Sequence, residues 1–202
     1  MTRQILRLGF LASRNGTSFR EIVRATAAGE LAAETLLLVS NNRSAEALIF
    51  ATDHGVSTCH IPTKDDPEAA DHELARVMSE AGVELILLSG YLRHLGPVTL
   101  GRYRNRIINI HPSLLPAFGG EGMYGRRVHA AVIAAGAKRS GATVHLVDEV
   151  YDRGVILAQR AFELDPRETV ESLEARVTAL EPELFVETLR RIASGDLSLP
   201  TA

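Results

Sequence analysis

The sequence has a single cysteine, Cys59, and no tryptophan among its 202 residues. One thiol excludes an intrachain disulfide framework and a cysteine-rich zinc site. Aromatic residues make up only 5% of the chain, so aliphatic side chains must build the core. Charge of one sign is not in excess: Lys plus Arg is 22, Asp plus Glu is 25, and the formal net charge is −3. A mildly acidic chain is not the composition of a dedicated nucleic-acid binder. No apolar run reaches the length of a membrane span. The stretch Met1–Ser13 has Arg3 and Arg7 before and inside its apolar residues, too broken for a secretory signal, and predicts a buried first strand. With 46% hydrophobic and 23% charged residues, the chain predicts a cytoplasmic α/β protein or enzyme.

What is present is an alternation of apolar runs and helical patterns. Gln4–Ser13, Thr35–Ser40, Val56–Ile61, Leu85–Ser89 and Arg106–Ile110 read as strands. Between them, Phe19, Ile22, Val23 and Thr26 recur at helical spacing, Ala45–Asp53 makes a short helix, and Asp66-Pro67 opens a third. Continuous apolar strands alternating with helices predict an α/β fold: an open, mostly parallel, doubly wound sheet with helices on both faces. After a Pro- and Gly-rich loop from Pro112 to Gly125, a helix is expected over Arg127–Ala137, then strands over Thr143–Val147 and Val155–Phe162. The chain closes on a helical stripe through Val170, Leu173, Val177, Leu180, Leu184, Leu189 and Ile192. Pro182 interrupts it, which predicts a kink or two abutting helices, and the tail after Gly195 is expected to fray. Residues 1–202 read as one domain, with halves 1–105 and 106–195 and a tail 196–202.

Three groups of residues have chemistry to offer. Arg14-Asn15-Gly16-Thr17-Ser18 lies between the first strand and first helix, where free amides and two hydroxyls suit a phosphate. It is neither GxGxxG nor GxxxxGK[ST], and a plain turn with Ser18 as helix cap explains it equally well. Asn109 and His111 fall on one side of the fifth strand at its carboxyl end, where open α/β sheets bind ligands. An amide donor beside an imidazole suits a reaction that develops an oxyanion and moves a proton. The turn Asp148–Gly154 offers Asp152, and a carboxylate within about 4–6 Å of a histidine favours its charged form. The histidines at 54, 60, 72, 94, 111, 129 and 145 show no HxxxH or HExxH pair, so no metal is expected. His111, His145 and Asp152 are the one set that imitates a two-His-one-carboxylate site, and His145 reads as a packed strand residue.

Asn109-Ile110-His111-Pro112-Ser113-Leu114-Leu115-Pro116, then Gly141-Ala142-Thr143-Val144-His145 and Asp152-Arg153-Gly154, resemble the folate-dependent formyltransferases. The resemblance covers the chain from its first strand to about Gly195, and is strongest to members that formylate glycinamide ribonucleotide in purine biosynthesis. It implies a Rossmann-like fold and 10-formyltetrahydrofolate as co-substrate, with no metal. Asn109, His111 and Asp152 match the catalytic trio, and Asn15, Gly16, Thr17 and Ser18 the loop around the substrate phosphate. Thr178 and Glu181 match ribonucleotide-binding positions. Leu92, Arg93, His94 and Leu95, with Asp148, Glu149, Val150 and Tyr151, match segments lining the folate pocket. The first half is then the phosphate-binding half and the second the catalytic and folate-binding half. Partners implied are small molecules, with no nucleic acid or membrane, in a monomer or homodimer. Departures are Arg14 where glycine is usual, no arginine in Asp66-Pro67-Glu68, a long Gly-rich loop Ala117–Arg126 able to act as a lid, and Pro182 directly after Glu181. Alternatives are a formyltransferase for another amine, a formyltetrahydrofolate hydrolase, and a phosphate-binding module with an inactive site. The hydrolases have an added N-terminal regulatory domain, whereas this sequence starts on its first strand.

Overall fold

A computed structural model describes residues 4–201. The first three residues of the predicted Met1–Ser13 segment, and Ala202 of the predicted tail, lie outside them. The elements run β1 (Leu6–Leu11), α1 (Thr17–Ala27), β2 (Ala33–Ser40), α2 (Glu46–Asp53), β3 (Ser57–His60), α3 (Pro67–Glu80), β4 (Leu85–Leu88), α4 (Pro97–Arg102) and β5 (Ile107–His111). Then come α5 (Arg126–Ala134), β6 (Arg139–Leu146), β7 (Ile156–Glu163) and α6 (Val170–Ser194). One seven-stranded sheet has the order β3-β2-β1-β4-β5-β6-β7. The first five strands pair in parallel, and β6 pairs antiparallel with both β5 and β7. The predicted doubly wound α/β architecture is therefore present.

Strand alternation explains the two layers. Leu6, Leu8 and Phe10 of β1 join Leu38, Leu85, Leu87, Ile108 and Val144 in one core, covered by α1, α2 and α6. Leu11 joins Leu37, Val39, Ile86, Leu88 and Ile107 in the other, under α3. Gly9 shows how tightly that second layer closes: a Cβ there would lie 2.6 Å from Met78 Sδ on α3.

The structure corrects four expectations. First, α6 is one continuous helix through Pro182 and not two abutting helices, begun by a reciprocal Thr169–Ser172 capping box and ended by Gly195 in the left-handed region. Proline removes one backbone bond, to the carbonyl of Thr178 four residues back. Burial of Leu173 and Val177 before it, and Leu184, Phe185 and Leu189 after it, holds both halves on the same core. Second, the tail to Thr201 does not fray. Leu197 and Leu199 pack on the core, and Arg106 and Asn105 donate to the carbonyls of Pro200 and Thr201 at 2.8 and 2.7 Å. Third, α4 has no counterpart in the sequence pattern, being six residues long and too short for periodicity. Buried Asp71 of α3 builds it, accepting the amides of Val98 and Thr99 at 2.8 and 3.1 Å. Fourth, β6 begins at Arg139, four residues before the predicted Thr143, and α5 ends at Ala134 rather than Ala137.

Candidate active site

The carboxyl ends of β1, β4 and β5 meet where the chemistry was expected. Gly16 is the N-cap of α1, at φ +65°, and supplies no side-chain cap. Ser18 is therefore not the cap, which removes that explanation of the loop. Ser89 Oγ accepts the Phe19 amide at 3.0 Å, leaving the Thr17 and Ser18 amides unpaired among the described residues. Positive φ and a Cβ position 3.1 Å from Ala47 Cβ both require glycine at 16. Asn15 is exposed in the same turn, and its carbonyl accepts from Arg20 Nε at 2.9 Å. Such a helix N-terminus, with free amides and no acidic residue in its first turn, is suited to an anion.

Asn109 and His111 end β5, and β6 runs beside them with Asn109 opposite His145 and His111 opposite Thr143. Asn109 Nδ2 lies 3.1 Å from His145 Nε2, and His145 Nδ1 lies 2.9 Å from the Leu146 carbonyl. A carbonyl only accepts, so His145 Nδ1 bears the proton and Nε2 accepts from Asn109. Burial pushes the His145 pKa down, in keeping with a neutral ring. His145 is thus packed, as expected, and also orients the Asn109 amide.

Asp152 reaches the same point from the β6–β7 turn. Its Oδ2 lies 3.5 Å from His111 Nδ1, and its Oδ1 lies 3.6 Å from His145 Nε2. His111 is only 3% exposed. The turn needs glycine at 154, where a Cβ would lie 1.8 Å from the Leu146 carbonyl oxygen. The Gly-rich loop closes the other side: His111 Nε2 is 2.9 Å from the Phe118 carbonyl, and the Gly120 amide donates to Asp152 Oδ2 at 2.8 Å.

The two predicted folate segments face one another. His94 and Tyr151 stack edge to face with centroids 4.9 Å apart. Leu92, Val150 and Tyr151 are exposed hydrophobics, whereas Leu95 is buried in the α3-side core. Arg93, His94 and Leu95 line a cavity of about 170 Å³ with Tyr91, Asp71 and Thr63. Asp148 and Glu149 are exposed in the turn, and Asp148 Oδ1 accepts the Val150 amide at 2.9 Å. A roomier hollow of about 390 Å³ lies between α3 and α4 and includes none of the predicted site residues.

Thr178 and Glu181 lie one turn apart on α6, Thr178 exposed and Glu181 half-buried. Crowding by the surrounding protein pushes the Glu181 carboxyl up to about 8. Neither side chain has a protein hydrogen bond among the described residues.

Two residues escaped the sequence reading. His129 of α5 is 3% exposed, its Nδ1 has no partner among the described residues, and its pKa is lowered by burial against the pull of Glu174. A histidine beside Val128 and before Val132 on an apolar helix face was the only signal available. Phe118 contributes a backbone oxygen, for which residue type gives no signal at all. Among the described residues no group of His, Cys, Asp and Glu is arranged to hold a metal. No described helix is long and apolar enough to cross a membrane.

Comparison with known proteins gives one consistent family. Residues 6–189 match the formyl transferase family model. A chloroplastic phosphoribosylglycinamide formyltransferase from Vigna unguiculata is 42% identical over 189 residues, which are 92% of this chain. The chain spans 60% of that relative's length. The Bacillus subtilis phosphoribosylglycinamide formyltransferase is 36% identical over 183 residues, covering 90% of this chain and 91% of its own. Among solved structures, glycinamide ribonucleotide transformylase 1 from Symbiobacterium toebii superposes with a TM-score of 0.88 at 32% identity. That match covers 97% of this chain and 91% of the other.

Proposed function

The chain belongs to the formyl transferase family, and we propose that it transfers a formyl group from 10-formyltetrahydrofolate to the primary amine of glycinamide ribonucleotide, a step of purine biosynthesis. The observation that carries this reading is the convergence of Asn109, His111 and Asp152 at the end of β5, with His111 Nδ1 3.5 Å from Asp152 Oδ2. The names of the relatives from Vigna unguiculata, Bacillus subtilis and Symbiobacterium toebii support the substrate.

The amine attacks the formyl carbon and gives a tetrahedral species with a negative oxygen. Asn109 Nδ2 has two hydrogens and gives one to His145, so the other is free for that oxygen. His111 is the second donor. Removing one such donor typically raises the barrier by about 2.7–4 kcal/mol. Asp152 faces His111 Nδ1 and takes part in moving the amine proton to the departing folate nitrogen. Asn15, Gly16, Thr17 and Ser18 hold the acceptor's phosphate on the α1 amides, and Thr178 and Glu181 face its ribose. Leu92–Leu95 and Asp148–Tyr151 line the folate cleft. The Ala117–Arg126 loop covers the site as a lid. Residues 1–105 and 106–195 divide phosphate binding from catalysis and folate binding. The substrates are water-soluble and call for no membrane or nucleic-acid partner, which favours a cytoplasmic enzyme, as monomer or homodimer.

The test is to mix purified protein with 10-formyltetrahydrofolate and glycinamide ribonucleotide and follow tetrahydrofolate release. Acceptor-dependent release is expected. No acceleration over folate alone sinks the assignment, and release without acceptor marks a hydrolase instead. Asn109→Ala and His111→Ala should each lose about 10²–10³-fold in kcat while remaining folded.

A further inference from the structure

His111 has two ring nitrogens with different neighbours. Nε2 lies 2.9 Å from the Phe118 carbonyl oxygen, and Nδ1 faces Asp152 Oδ2 at 3.5 Å. A carbonyl oxygen cannot donate, so Nε2 must bear its proton whether the ring is neutral or charged. The proton that comes and goes is then the one on Nδ1.

Phe118 is held for this purpose by more than one contact. Its backbone sits at φ +55°, in the left-handed region that a bulky residue rarely adopts. Such a conformation persists only where the surroundings over-determine it. Here the Phe118 side chain packs half-buried on the α1- and α6-side core. Ser113 Oγ donates to the preceding carbonyl, that of Ala117, at 2.9 Å. Two residues on, the Gly120 amide donates to Asp152 Oδ2 at 2.8 Å. Gly119 lies between them, its Cβ position 3.1 Å from Asp152 Cβ. One short turn thus grips both His111 and Asp152.

We propose that Phe118 is a positioning residue: its carbonyl locks His111 as the Nε2–H tautomer and so assigns all proton exchange to Nδ1, on the Asp152 side. The inference rests on the formyl-transfer reading for its consequence, not for its geometry. In that reaction the acceptor nitrogen forms a bond to the formyl carbon and the bond from that carbon to the folate nitrogen breaks. The proton released by the acceptor nitrogen ends on the folate nitrogen. Nδ1 is the one His111 atom able to hand it on, because Nε2 stays committed to Phe118. The side chain of Phe118 acts only as the anchor that keeps the carbonyl in place.

The test has two arms. Protein labelled with ¹⁵N-histidine is examined by two-bond ¹H–¹⁵N NMR, with His111 assigned by its loss in His111→Gln. A protonated Nε2 and an unprotonated Nδ1 are expected in the neutral ring; the reverse pattern overturns the proposal. In the second arm, Phe118→Ala is expected to lower kcat at least tenfold with both KM values within twofold of wild type, and to mix the two tautomers. Phe118→Leu restores most of both. Wild-type kcat in Phe118→Ala, or a change in KM alone, also overturns it. The tautomer measurement needs no substrate. An Nε2–H ring in a protein without formyl-transfer activity would therefore refute the function while leaving the positioning intact.

Discussion

Asn109 of β5 and His145 of β6 are direct partners across an antiparallel ladder, and the Asn109 amide donates to His145 Nε2 at 3.1 Å. The Leu146 carbonyl makes that direction obligatory by holding the proton on Nδ1. His145→Leu removes the acceptor and frees the Asn109 amide to rotate. Outer-shell partners of this kind are worth about 10–100-fold in activity at metal sites, and a loss of that order in kcat is expected here. His145→Gln, which can still accept, recovers part of it. Steady-state kinetics of the two variants decide the matter; equal losses would contradict the orienting role.

Stability toward acid depends on two buried imidazoles. Burial lowers the pKa of both His129 and His145 below that of an unfolded histidine, about 6.5. The unfolded chain therefore takes up protons first, and the native state loses stability as pH falls below about 6.5 and on through the depressed native values. His129→Leu removes one such group along with an unpartnered Nδ1. Urea unfolding at pH about 7 and about 5.5 should show a smaller acid loss in the variant than in wild type. An identical loss in both would remove His129 from the account.

Glu181 works in the opposite sense. Its carboxyl pKa is raised from 4.5 to about 8, so the native state holds a proton that the unfolded chain has released. The stability it confers is present below about 4.5 and is lost as pH rises through about 8. Glu181→Gln mimics the protonated form and flattens that decline. Unfolding free energies of wild type and variant between pH about 6.5 and 8, where the histidines contribute equally to both, are the measurement. A wild-type curve as flat as the variant's would contradict it.

Asp71 is the cap that α4 lacks in its own sequence. It is buried and accepts two amides, so Asp71→Ala leaves both donors unsatisfied. A stability loss of about 2–3 kcal/mol is expected from denaturant unfolding. Gly96→Ala should be similarly damaging, because its Cβ would lie 2.3 Å from Asp71 Oδ2.

Gly16→Val tests the α1 N-terminus. Positive φ and contact with Ala47 both oppose a side chain there. KM for a phosphorylated acceptor should rise about tenfold or more while kcat changes little, since an anion held by free amides contributes binding rather than chemistry. An unchanged KM would mean that the phosphate lies elsewhere.

Much of the fold was legible because its signals are short-range. The apolar runs Gln4–Ser13 and Thr35–Ser40 and the Asp66-Pro67 helix start each declare local structure within a few residues. The candidate site was legible where one segment contains several of its groups, as with Asn109 and His111. It was not legible where a backbone atom acts, as at Phe118, or where a helix is capped from another helix, as Asp71 caps α4.

By itself the sequence determined the doubly wound architecture and the placing of Asn109 and His111 together at the carboxyl end of β5. Hydrophobic period and turn chemistry decide these, and neither depends on distant contacts. Only the tertiary structure decided which nitrogen of His111 and of His145 holds a proton, that Asp152 lies 3.5 Å from His111, and that Pro182 leaves α6 unbroken. The histidine outcomes and the Asp152 contact depend on the register of β6 against β5 and on loops closing over both, and the unbroken α6 on core burial either side of Pro182. A one-residue shift of β6 would turn His145 to the other face.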